Sequence, residues 1–131
     1  MPQSPGGPPP PPTSASVSSI GVEHALLSYL YLDRGDPDGY ASLVDGAARF
    51  EHPGFPVAFG SEEAAALVLK CYGSSGIHRP RRVVAADGDV VVTGVLTRRA
   101  GGGDDQEFAD LFAITEHGLL SSWRRYHRPT G

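Results

Sequence analysis

Four β-rich runs joined by short turns fill the C-terminal half of the chain and restrict its fold more than any other feature. Arg82 to Ala86 and Asp89 to Arg99 flank an Asp87-Gly88 pair, the dipeptide that suits a tight hairpin turn. Gln106 to Thr115 and Leu119 to Tyr126 flank Glu116-His117-Gly118, and the Gly-rich link Ala100 to Asp105 joins the two hairpins. The first half reads differently. A crowded helix is predicted from about Ile20 to Asp33, with Ser18-Ser19 as its cap and Glu23 favourably placed against its dipole. Gly35 closes it, Asp36 caps a short second helix with Pro37 at its first position, and that helix runs to about Val44. Ala47 to His52 reads as a strand halted by Pro53-Gly54, and Ser61-Glu62-Glu63 opens a third helix ending at Gly73. Helices first and antiparallel strands last give an α+β order.

Two ionisable residues stand out against this pattern. His52 ends the first strand, and Asp110 sits inside Phe108-Ala109-Asp110-Leu111-Phe112-Ala113-Ile114. Alternation puts Asp110 on the same face as Phe108, Phe112 and Ile114. A carboxylate among aromatics is costly unless paired or protonated, so it calls for a partner or a task. An arginine from Arg98, Arg124 or Arg125 is the structural alternative; a shared pocket with His52 is the functional one. Alternation also sets Trp123 and Tyr126 on opposite faces of the last strand, so only one of them points inward.

Composition narrows the function classes. With 131 residues there is room for one modest core. The predicted division is a Pro/Ser-rich disordered leader over 1–18, one domain over 19–128 and a tail over 129–131. The leader carries five consecutive prolines, Pro8 to Pro12, and little to bury. A formal charge of −4 and an isoelectric point near 5.6 argue against a nucleic-acid partner. No apolar run approaches the roughly 20 residues that span a bilayer, and no signal peptide is evident, so a cytoplasmic protein without a membrane partner is expected. The single Cys71 excludes an internal disulfide and a cysteine-rich metal site; no metal and no cofactor are expected. Gly101-Gly102-Gly103 does not lead from a strand into a helix, so it is no phosphate cradle.

The order of helix, Gly35-Asp36-Pro37-Asp38-Gly39, short helix, strand ending Glu51-His52-Pro53, Ser61-opened helix and long hairpins resembles the NTF2-like superfamily over about Ser18 to Arg128. Within it, the chain is most similar to the SnoaL-like polyketide cyclases and the ketosteroid isomerases. The resemblance implies an α+β cone, a curved mixed or antiparallel sheet wrapped around three helices, with a deep pocket. It places His52 at the isomerases' catalytic base and Asp110 at the pocket aspartate, while the isomerases' helix-one tyrosine falls on Ser28, next to Tyr29.

For function, the resemblance implies a cofactor-independent acid/base enzyme acting on a hydrophobic carbonyl compound, a cyclase or isomerase of polyketide or other natural-product biosynthesis. Hydrolase and dehydratase chemistry remain within its range, and a non-catalytic binding or dimerisation module is the alternative. His52 and Asp110 are the expected catalytic pair, one as base and the other as neutral acid. Tyr29, Tyr40, Phe55, His78, Phe108, Trp123 and Tyr126 are the expected substrate contacts, with His78 at the rim. Asp110→Asn is expected to abolish turnover and leave the fold intact. A homodimer through the open sheet face is the expected assembly.

Overall fold

The computed structural model describes residues 14–99 and 101–130; residues 1–13 of the predicted 1–18 leader, Ala100 and Gly131 lie outside the described residues. Three helices precede or interrupt a six-stranded sheet: α1 (Ser14–Arg34), α2 (Pro37–Ala41), β1 (Val44–Phe50), β2 (Ala58–Phe59), α3 (Gly60–Tyr72), β3 (Gly76–Ala86), β4 (Asp89–Arg98), β5 (Gln106–Ile114) and β6 (Leu120–Pro129). The order across the sheet is β2-β1-β6-β5-β4-β3. Every neighbouring pair is antiparallel except β1 and β6, which run parallel. The mixed sheet is therefore a long meander, β3 to β6, extended beside β6 by the two earlier strands, β1 and then β2.

The punctuation residues act largely as the sequence predicts. Gly35 takes a φ of +67°, and the amides of Gly35 and Asp36 reach back to the Leu32 and Tyr31 carbonyls, closing α1 with paired terminal bonds. Asp36 accepts from the Gly39 amide at 2.9 Å and Pro37 follows it, which starts α2. Asp87 and Gly88 both have positive φ, as a two-residue hairpin with right-handed strands requires.

The differences have physical reasons. α1 already includes Ser14, so Ser18 and Ser19 lie inside the helix and not at its cap. α3 starts at Gly60 with Phe59 as its N-cap and no side-chain cap bond, so Ser61 lies inside the helix. Its two acids, Glu62 and Glu63, offset the open amides by charge. α2 ends at Ala41, and β1 starts at Val44 because the Leu120 amide donates to the Leu43 carbonyl and draws that segment into the sheet. β3 begins at Gly76, six residues before the predicted start, and carries a bulge between Pro80 and Arg82. Proline has no ladder donor, so the irregularity falls where it sits. β6 reaches Pro129, and the Thr130 amide donates to the Asp105 carbonyl, which ties down most of the predicted tail.

The helices pack on one face of the sheet. Ala25, Tyr29 and Leu32 of α1, Tyr40 of α2, Phe50 of β1 and Val68 of α3 meet Val92, Leu96, Phe108, Phe112, Leu120 and Trp123 in one core. α1 is half apolar on its outer side as well, with Leu26 and Leu30 exposed. Alternation on β5 holds: Phe108, Asp110 and Phe112 are buried while Leu111 faces out. On β6, Trp123 and Arg125 point in and Arg124 and Tyr126 point out.

Candidate functional site: a closed polar core beneath an open cleft

Asp110 is fully buried in the core, and its two oxygens receive four hydrogen bonds. Arg125 grips it from both sides of the carboxylate, Nε to Oδ1 at 2.6 Å and Nη2 to Oδ2 at 2.7 Å. The Tyr29 hydroxyl donates to Oδ2 at 2.7 Å and the Trp123 indole N–H to Oδ1 at 3.2 Å. Guanidinium and indole nitrogens only donate, so Asp110 is an acceptor on both oxygens and therefore an ionised carboxylate. The neutral, donating acid drawn from the resemblance does not fit this geometry. Of the three arginines named as possible anchors, Arg125 takes the place.

The network continues past Arg125. Its Nη1 donates to His78 Nε2 at 3.0 Å, and His78 Nδ1 faces Asp33 Oδ1 at 2.5 Å. The second Asp33 oxygen accepts from the His78 backbone amide at 2.9 Å. Because Arg125 has no acceptor to offer, Nε2 carries no proton and His78 is a neutral imidazole protonated on Nδ1. Burial pushes His78 below the ordinary histidine range; the Asp33 hydrogen bond opposes this and the Arg125 charge adds to it. The Tyr29 phenol is held well above its usual range, by burial first and then by the Asp110 charge. Burial also opposes the Arg125 charge, but Asp110 more than offsets it. The guanidinium carbon lies 4.1 Å from the Tyr72 ring centre and 4.5 Å from that of Phe108, so two aromatic rings pack on the cation. Among the described residues no buried side-chain nitrogen or oxygen is left without a partner.

His52 stands apart from this core. It is half-buried, and its ring stacks on Trp123 at 5.8 Å and 17°. Nδ1 lies 3.1 Å from the Pro53 carbonyl, an acceptor only, which assigns the proton to that nitrogen. Nε2 is 2.7 Å from the Tyr72 hydroxyl. His52 and Asp110 thus contact opposite features of one indole, its face and its N–H. An open cleft of about 440 Å³ lies beside His52, lined by Glu51, Pro53, Gly54, Phe55, Val57, Arg124, Arg125 and Tyr126. Asp110 is not among the residues that line this cleft.

The seven expected substrate contacts divide accordingly. Phe55 and Tyr126 line the His52 cleft, and Tyr126 is also on the outer sheet face. Tyr29 and Trp123 are ligands of the Asp110 carboxylate, and Phe108 covers Arg125. Tyr40 is fully buried against Phe50. His78 is not at a rim: its side chain has no exposed surface, because both ring nitrogens are engaged by Asp33 and Arg125. Sequence reasoning missed Tyr72 and Asp33. Asp33 carried no signal beyond its place in the last turn of a helix. Arg125 was legible through parity, since an inward Trp123 forces residue 125 inward.

The helix-filled, curved sheet defines an NTF2-like α+β fold. Solved structures agree at low sequence identity. An NTF2-like protein of unknown function from Burkholderia xenovorans is 14% identical, with a TM-score of 0.71 and 86% of each chain covered. A putative SnoaL-like polyketide cyclase from a Jannaschia species is 16% identical, TM-score 0.70, covering 88% of this chain and 90% of that one. An LEH-like epoxide hydrolase from M. tuberculosis is 18% identical, TM-score 0.64, covering 85% of this chain and 84% of the other. No protein-family model matches the sequence, and no curated protein does.

Proposed function

We propose that this chain is a small-molecule-binding module of the NTF2-like kind whose ligand docks in the cleft at His52. The observation that carries this reading is the saturation of Asp110: a carboxylate holding four donors has no lone pair left for a substrate proton. The cleft, by contrast, has the size of a ligand site and a wall that mixes an imidazole, Phe55, Val57 and Tyr126 with Arg124. Such a wall suits a compact, largely apolar molecule with a carbonyl or acidic group. The homodimer of this reading forms through the outer sheet face, where Val84, Leu111 and Tyr126 are exposed.

A second reading keeps the acid/base enzyme, a cyclase or isomerase of natural-product biosynthesis, and one observation favours it. His52 lines the cleft and is hydrogen-bonded behind it to the buried Tyr72 phenol, a pair suited to tuning the imidazole for proton transfer with a bound carbonyl compound. Asp110 then holds Trp123 and Arg125 in position behind the pair.

The test is a ¹³C and ¹⁵N NMR titration with a panel of aromatic ketones and aromatic carboxylic acids. Shifts centred on His52, Phe55 and Val57, lost in His52→Ala, are expected. Shifts centred on Tyr29, His78 and Asp110 would move the site into the cone and overturn the proposal. Turnover of any panel member that vanishes in His52→Gln selects the enzymatic reading.

A further inference from the structure

We propose that His78 is an acid-operated latch on the core: protonation of its Nε2 drives the Arg125 guanidinium away and loosens its grip on Asp110. The argument rests on placement. His78 has no exposed side-chain surface, and its Nε2 is the acceptor for Arg125 Nη1 at 3.0 Å. A second proton therefore has one place to go, and that place is already filled by an N–H of a cation. Two like charges at that separation in a poorly solvated interior are strongly unfavourable.

The groups facing His78 from each neighbouring element decide how that clash is relieved. From α1, Asp33 holds Nδ1 and Tyr29 stacks on the ring at 5.4 Å. From β5, Phe108 meets the ring edge at 5.4 Å, and Asp110 lies beyond the guanidinium. From β6 comes Arg125 alone. On β4, the residue paired with His78 is Leu96, which carries no charge. Asp33 favours the protonated ring, and its side chain is 19% exposed, so a proton reaches the network from that side. Asp110 has only Arg125 as a cationic partner among these groups. Asp33 and the backbone of β3 hold the His78 ring in place, so relief comes by a shift of the Arg125 guanidinium away from Nε2. Its departure uncovers the Tyr29, Trp123 and Asp110 polar atoms.

This inference stands apart from the ligand reading, because it concerns the core and not what the cleft holds. Trp123 is the only tryptophan, so its emission reports on the network directly. It also stacks on His52, and the experiment is therefore run in a His52→Gln background. Trp123 emission, acrylamide quenching and far-ultraviolet circular dichroism are followed from about pH 7.5 to 4.5, across the imidazole range. The expected result is an acid-induced rise in quenching of severalfold with the helical signal retained, absent when His78→Gln is added. Persistence of the transition without His78, or no rise in quenching before the helical signal is lost, overturns the latch. Should His78→Gln fail to fold, ¹⁵N spectra of the parent decide. His78 Nε2 and Arg125 Nε must change over the same pH interval; an Nε2 that titrates while Arg125 Nε stays fixed overturns the proposal.

Discussion

Replacing Asp110 with Asn removes one charge and little volume, so its cost measures how far the core depends on the Arg125 pair. Both side chains are 1% exposed, and the carboxylate is gripped through both oxygens. An amide supplies one acceptor oxygen in place of two. In either orientation its NH₂ group faces a guanidinium N–H, leaving a buried cation without its counter-charge. Breaking a buried pair from one side costs about 3–5 kcal/mol, against a whole-domain stability of about 5–15 kcal/mol. A loss of that size lowers the melting temperature by on the order of 10–20 °C in a domain of this length. The expectation that Asp110→Asn spares the fold is thereby replaced: lost activity in that variant would first report lost structure. Urea denaturation of Asp110→Asn, Arg125→Met and the double variant Asp110→Leu/Arg125→Met supplies the check. The double variant is expected to be more stable than the sum of the single losses by at least about 2 kcal/mol, since an apolar pair leaves no orphan charge. Asp110→Asn within about 1 kcal/mol of the parent would refute the reasoning.

The same geometry makes three shorter predictions. The folded pKa of His78 lies below its unfolded value near 6.5, so the unfolded chain binds the extra proton more readily; stability is fully present above about pH 6.5 and falls as pH drops below it, and the urea midpoint should lose that dependence in His78→Gln. Gly118 has a φ of +81°, and a Cβ there would lie 2.9 Å from Ile20 Cβ, so Gly118→Ala should cost about 1–3 kcal/mol in urea and loosen α1 by hydrogen exchange. Leu111→Lys places a charge on the outer sheet face where Leu111 is 40% exposed; the dimer proposed above should become monomeric by sedimentation with little change in the urea midpoint, and a parent that is already monomeric, or a variant of unchanged mass, would remove this face from the proposal.

How much of this was legible in the sequence depends on whether the determining interaction is local. Gly35-Asp36-Pro37 and Asp87-Gly88 fix their own backbone, and both turns came out as read. Strand parity is local too, so the inward set Phe108, Asp110 and Phe112 was correct. Strand ends were misplaced where pairing decides them: β1 begins at Val44 because Leu120, from the far end of the chain, bonds the neighbouring Leu43. His78 was placed at a rim because nothing near it in sequence announces Asp33 or Arg125, which are 45 and 47 residues distant.

The choice among the arginines bears most on function. An inward arginine at position 125 and an inward aspartate at 110 follow from the same period-two rule, applied to two strands that pair at these residues. Cross-strand neighbours on one face touch, so the charge that makes Asp110 resemble a catalytic group is met by the next strand. With both groups drawn into one ion pair, this part of the core is filled by the chain's own side chains, and the open cleft lies beside His52. Exchanging Arg125 for a small residue would leave the Asp110 carboxylate without its cationic partner, so position 125 decides whether Asp110 is held as a structural anion.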